Sequence, residues 1–380
     1  MRARAFAGVA VGVGCVVTGL LAAPLLGGST KPENQKRKTS MSVSGSGRPV
    51  STLNLHAAPL SLRDGAVGVD NLALVEDRGS PGLLASTGDG AGAATVLHLY
   101  RPGAAASPPG SALTAEATFT LPASLSPPQW TAAISGAPAP ASPAASVVLS
   151  QPGSAMSPLV FWRSGTSQIE PVTPKGLRVF SAPRLVRHEA SALVVAIEGE
   201  ERGDRVVLLS AGAPGAPAWT ERLLSTPEGG RLGAAVLVRR AEGYILVFTT
   251  PVTAGDRGAR TRARPPFGTV SLGAIHVLPL DRGFAPAGKA APLQGAEPVY
   301  ELDADVDGDR LLILGTTRAG YEVAVARFTG PSLEVVARGQ EHLSSPAVAP
   351  TVLALGGAGS FALLQPAHNT SPARILQGRL

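Results

Sequence analysis

The chain has one cysteine, Cys15, so no intrachain disulfide can form and the fold must rest on its core and its backbone ladders. Cys15 lies in an apolar leader, so a thiol nucleophile is excluded from the folded part. Aromatics are also scarce, at 4% of residues with three Trp and four Tyr, which is poor material for stacking sugars. The histidines (His56, His98, His188, His276, His342 and His368) are scattered, and no two stand at metal-ligand spacing. Neither G-x-S-x-G, H-E-x-x-H nor a phosphate-cradling glycine loop occurs, which removes the commonest hydrolase, zinc-protease and nucleotide-binding signatures. His98 and His276 each sit inside an apolar run ("VLHLY", "AIHVL") and read as strand histidines.

The charge is not where a nucleic-acid binder needs it. The formal charge is +6 and the isoelectric point about 9.9. Residues 1–50 carry seven Lys/Arg against Glu33, and the remaining residues carry 33 − 7 = 26 basic and 27 − 1 = 26 acidic side chains. The body is therefore neutral, and no nucleic-acid partner is expected. Arg far outnumbers Lys and Ala, Gly and Pro abound, a bias that suggests a GC-rich bacterial genome.

The N-terminus is strongly biased. Arg2 and Arg4 precede a charge-free run from Ala5 to Gly28. A secretory signal has an apolar region of about 7–15 residues and a spanning helix needs about 20. Residues 1–28 are expected to be a signal peptide or a membrane anchor, with lipidation at Cys15 a further alternative. The expected location is the periplasm or the outer cell surface. Residues 29–50, "STKPENQKRKTSMSVSGSGRPV", lack core-forming residues and read as a flexible polar linker.

From residue 51 to 380 the helical period is missing. Short apolar runs of four to eight residues alternate with Gly, Pro and Asp turns, as strands do. "NLALVED" leads to "GLLAST" and "ATVLHLY", and "WTAAIS" to "ASVVLSQ" and "PLVFWRS". Comparable positions (Leu72, Ala132, Leu185, Val236, Glu301, Ala349) recur at intervals of about 48 to 65 residues, a spacing typical of propeller blades. The fragments "SSPAVAP", "GYILVFTT" and "GAIHVLPLDRG" resemble the repeats of secreted bacterial β-propellers, such as FG-GAP-like surface repeats. The resemblance covers about residues 65–380 and implies an all-β propeller of about six or seven blades. The alternative is tandem β-sandwiches. "ARILQGRL" at the C-terminus could supply the closing strand of a blade begun near the N-terminus. "RPGAAASPPGSALTAEA" and "SGAPAPASPAAS" read as surface connections, the second splitting an early blade.

Two stretches carry candidate sites. In "LDADVDGDRLLIL", Asp303, Asp305, Asp307 and Asp309 alternate, and Gly308 occupies position 6 of a calcium loop counted from Asp303. Positions 9 and 12 are Leu311 and Leu314, where such a loop needs ligands. Calcium held by the four aspartates is one reading. The other is a hairpin turn, because Asp-Gly accepts the positive φ of a tight turn. The second stretch, "GDRGARTRARPPFG", gathers Arg257, Arg260, Arg262 and Arg264, with Pro265 and Pro266 stopping any strand. One reading is a solvated surface loop; the other, because arginine's planar fork suits phosphate and carboxylate, is an anion-binding contact at a propeller rim for a polysaccharide, a lipid head group or an acidic protein. No catalytic residue or cofactor is expected. The function expected is exported, non-catalytic binding or scaffolding, with membrane contact through the N-terminal segment. The alternative is a propeller carbohydrate-active enzyme, a hydrolase or lyase. Two or more carboxylates with Arg or Tyr around the channel mouth would favour that alternative.

Overall fold

The computed structural model describes residues 50–59, 71–77, 80–87, 96–100, 115–121, 130–135, 144–150, 159–163, 169–172, 179–186, 193–200, 203–211, 219–225, 232–252, 261–264, 268–317, 320–329, 332–342, 352–355, 360–365 and 374–379. The leader at 1–28 and all of the linker except Val50 fall outside these residues. What is described is all-β and forms six antiparallel blade sheets.

Blade 1 runs Asn71–Asp77, Ser80–Thr87, Val96–Tyr100, Ala115–Thr120, and blade 2 runs Trp130–Ser135, Ala144–Ser150, Leu159–Arg163, Ile169–Pro171. Blade 3 is Val179–Leu185, Leu193–Glu200, Gly203–Ser210, Thr220–Ser225, and blade 4 is Ala235–Arg240, Gly243–Pro251, Gly273–Leu280, Ala291–Pro292. Blade 5 is Leu302–Asp307, Arg310–Thr316, Gly320–Thr329, Ser332–His342. Blade 6 takes Val352–Leu355, Ser360–Gln365 and Arg374–Arg379 from the C-terminus, and its outer strand, Leu55–Pro59, from the N-terminus. The first strand of each blade neighbours that of the next, and blade 6 neighbours blade 1, so the ring closes. The described residues form a six-bladed β-propeller.

Of the positions the sequence spacing marks, Leu72, Ala132, Leu185 and Val236 lie in first strands, and Glu301 immediately precedes one. The C-terminal run pairs with the N-terminal strand as the sequence suggests, His56 opposite Gln377. Two boundaries differ: Ser135, Ala144, Ala145 and Ser146, at the ends of the second stretch read as a connection, belong to the first two strands of blade 2. Ala115–Ala117, assigned by composition to a surface connection, belong to the outer strand of blade 1, because pairing with Leu99 and Tyr100 outweighs their weak intrinsic preference.

The period of two decides which blade each side chain meets. In blade 5, Leu302, Ala304, Leu311, Ile313, Ala324 and Ala326 pack against Val236, Ile245, Val247, Ile275 and Val277 of blade 4. The alternate residues, Leu312, Leu314, Val323 and Val325, pack against Val352, Phe361 and Leu376 of blade 6. A sheet apolar on both faces needs a neighbour on each side, and radial packing supplies both with only short edges left open. The N-terminus also covers the outer edge of blade 5, where Ser51–Thr52 pair in parallel with Ala337–Arg338 and the Leu53 amide donates to Arg338 O.

Candidate functional site

Antiparallel order fixes which connections share an end of the ring. Each outer strand passes to the next first strand at one end, called here the entry end, and second strands turn into third strands at that same end. In blade 5 the second-to-third connection is only 317–319. In blade 4 it is 252–272, and this insertion contains a separate two-stranded sheet, Thr261–Arg264 paired with Gly268–Ser271. Arg262 lies opposite Val270 and Arg264 opposite Gly268. The stretch that reads as a loop in the sequence holds a short hairpin whose first strand ends at Arg264, immediately before Pro265. Arg257 and Arg260 lie outside the described residues.

The stem of this insertion is fixed. Val252 donates to Leu272 O at 3.1 Å, and Gly273 and Val299 exchange two backbone hydrogen bonds of 2.8 and 2.9 Å. Leu272 packs on Tyr300. The segment 297–300, which leads from blade 4 into blade 5, is therefore the seat of the stem. Its Val299 lies over Gly315, where a Cβ would stand 2.3 Å from Val299 Cγ1.

The four aspartates are divided between two places. Asp303 and Asp305 are buried and face blade 6. Asp303 Oδ2 accepts from the Val352 amide at 2.8 Å, and Asp305 Oδ2 from the Ala354 amide at 2.8 Å. Asp305 Oδ1 also accepts from the Val306 amide at 2.9 Å. Asp307 and Asp309 lie at the turn at the opposite end, where Gly308 has φ 60°. Asp309 stands 3.4 Å from Arg327 and 3.9 Å from Arg310. The turn that Asp-Gly foretells is present. Among the described residues no three His, Cys, Asp or Glu side chains are grouped to hold a metal. Calcium at these aspartates would have to draw Asp303 and Asp305 away from amides of blade 6.

At the entry to blade 5, Tyr300 and Glu301 are held through their backbone amides by Thr316: Tyr300 donates to Thr316 O at 2.8 Å, and Glu301 donates to Thr316 Oγ1 at 3.0 Å. The equivalent threonine of blade 4, Thr249, accepts from the Ala234 amide at 3.0 Å. His276 is a bonded strand histidine, its Nε2 2.9 Å from Thr250 Oγ1 and its ring stacked on Phe248. Burial lowers its pKa. His98 stands in the blade 1 sheet, 6.1 Å from the Tyr100 ring.

Sequence reading missed one cluster. Glu322 is 3% exposed, and its carboxylate has no hydrogen bond of ordinary geometry. Arg338 Nε lies 3.9 Å from Glu322 Oε1 and is also without a hydrogen bond. Gln340 Nε2 donates to Glu297 Oε1 at 3.5 Å. Burial raises the Glu322 pKa, and the charge of Glu297 raises it further; Arg338, the Glu297 backbone and the Gln340 amide partly offset this. The signal was in "YEVAVARF", where Glu322 is in step with the buried Ala324 and Ala326.

No protein-family model matches the chain, and no curated protein matches it in sequence. Solved structures do match in fold. The subtype N10 neuraminidase-like protein of A/little yellow-shouldered bat/Guatemala/060/2010 superposes with a TM-score of 0.50 at 10% identity, over 85% of this chain and 97% of that one. The subtype N11 neuraminidase-like protein of A/flat-faced bat/Peru/033/2010 (H18N11) gives 0.47 at 10% identity, covering 87% and 95%. The WD40 domain of Toxoplasma gondii coronin gives 0.45 at 11% identity, covering 87% of each chain. At this identity the first likeness supports the propeller fold and nothing about chemistry.

Proposed function

We infer that this is an exported, non-catalytic binding propeller that contacts an anionic protein or polysaccharide through the insertion of blade 4. The observation that carries the reading is the hairpin itself. A blade needs only a few residues to turn from its second strand to its third, yet blade 4 uses 252–272 and builds a second small sheet there. Four arginines fall within this region of a body with no net charge. Loops held on a rigid scaffold are where binding residues concentrate, and guanidinium forks match carboxylate and sulfate oxygens in pairs. Residues 1–28 act as the export or anchoring segment, and residues 29–50 as the tether between that segment and the propeller.

The test replaces Arg257, Arg260, Arg262 and Arg264 with Ser. Stability should change by no more than about 0.5 kcal/mol per site, as at ordinary surface positions. The parent should be retained on heparin at low salt and released as salt rises, since exposed charges are screened over about 8–10 Å. The variant should not be retained. Equal retention of the two would remove the arginines from the binding role. Export is checked by fractionating cells that make the full chain or a chain beginning at residue 51; equal distribution would count against a targeting role for the leader.

A further inference from the structure

The Glu322 cluster sits beside the segment that seats the arginine hairpin. Glu322 begins the third strand of blade 5, and Arg338 and Gln340 lie on the adjacent outer strand, facing the same side. Glu297 approaches from the connection between blades 4 and 5, two residues before Val299, whose backbone bonds hold Gly273 in the stem. The adjacent second strand brings Gly315, the N-terminal strand Ser51 and Thr52, and the blade 4 side packed on this face brings Val247, Ile275, Leu293 and Val299, none of which titrates. Glu297 and Arg338 are thus the charged groups that face Glu322 among the described residues, with Gln340 the polar one.

We propose that Glu322 and Glu297 form a proton-operated latch on segment 297–300. With Glu322 protonated the segment stays seated against the hairpin stem, and with Glu322 ionised it is repelled by the Glu297 side chain and the stem loosens. A single Arg338, 3.9 Å away and without a hydrogen bond to either oxygen, does not neutralise two carboxylates. The opened segment places Glu322 in water, where its carboxyl regains an ordinary affinity for protons. Between that ordinary value, 4.5, and the raised value in the closed form, opening releases a proton and is promoted by rising pH. Above both values the effect levels off.

The experiment is hydrogen exchange on the folded chain, corrected for intrinsic rates, at the amides of Val299 and Gly273. In the parent, protection should fall with pH by up to about tenfold per unit across that window and then flatten. Glu322→Gln should abolish the slope. Should Glu322→Gln not fold, Glu297→Gln keeps the test alive, because removing the repelling charge should narrow the pH window over which protection falls. A slope unchanged in Glu322→Gln, a window unchanged in Glu297→Gln, or a parent with no slope, overturns the latch. The effect on ligand rests on the arginine reading above: heparin retention by the parent should track the protection, and by Glu322→Gln should not vary with pH. If the protection slope appears but heparin is never retained, the arginine reading fails and the latch stands.

Discussion

Replacing Asp303 by Ala tests the seam between blades 5 and 6. Its carboxylate accepts the Val352 amide at 2.8 Å, and both residues are buried. A hydrogen bond to a charged group is worth about 1.5–3 kcal/mol, and a buried donor left without a partner costs about 1–3 kcal/mol. Because these overlap, the expected loss for Asp303→Ala is about 3 kcal/mol. Asp305→Ala should cost less, about 1–2 kcal/mol, because Ala354 is only half buried and water can reach its amide. Asp303→Asn keeps an acceptor oxygen and should fall between parent and Ala. The assay is urea unfolding in excess chelator. With a slope of about 3 kcal/mol per M, the Asp303→Ala midpoint should drop by about 1 M. The chelator separates the two readings of these aspartates. If their main role were to hold calcium, the parent would gain about 2.7 kcal/mol at calcium a hundredfold above Kd, and Asp305→Ala would lose that gain. A parental midpoint for Asp303→Ala in chelator would refute the seam account.

Three further outcomes follow from named contacts. Gly315→Ala should cost about 1–3 kcal/mol by overpacking, because its Cβ would meet Val299; adding Val299→Ala should recover part of that loss, and strict additivity would show that the two do not touch. Removing residues 1–59 strips the outer strand of blade 6 and bares the edge of Arg374–Arg379, so the product should aggregate on size exclusion; a monomer with the parental urea midpoint would count against closure by this strand. The folded pKa of His276 is lowered, so the stability it contributes is present above its ordinary value of 6.5 and is lost as pH falls toward the lower folded value. His276→Gln should flatten that acid limb, and identical slopes in parent and variant would dismiss it.

The fold was legible because blades repeat a simple pattern. Alternation in "RLLILGT" and "YEVAVARFT" marks two buried faces, and turns such as Asp-Gly punctuate them. What could not be read was the partner of each face. Asp303 and Asp305 look alike to a calcium loop and to a seam, because both uses need carboxylates spaced by two; only the neighbouring strand Val352–Leu355 tells them apart. The hairpin at Thr261–Arg264 was hidden because Arg, Gly and Pro give no apolar alternation, and its strands pair with each other, away from the blade sheet. Glu322 escaped notice because one carboxylate in an apolar strand reads as solvent-facing until its step with Ala324 and Ala326 is counted.

The seams on either side of blade 5 show why polar side chains recur near the ring's inside. First strands are pairing edges, so their inward amides lack a ladder partner and must be bonded some other way. At the blade 4–5 seam the backbone does this itself, Gly273 and Val299 bridging directly, while within blades 4 and 5 the hydroxyls of Thr249 and Thr316 accept from the amides of Ala234 and Glu301 that lead into the first strands. At the blade 5–6 seam the first strand is only Val352–Leu355, with no comparable bridge among the described residues. There Asp303 and Asp305 supply the acceptors, and their spacing of two matches the spacing of the Val352 and Ala354 amides. The pairing sets the register between two sheets that share no ladder. Charge is useful for this because a carboxylate held among apolar neighbours is costly wherever it does not meet its donors. A slipped seam would leave both carboxylates buried and unbonded, whereas a slipped apolar contact would lose only part of its packing. The aspartates of blade 5 therefore favour one alignment of the last two blades, the place where the chain must meet its own beginning to close.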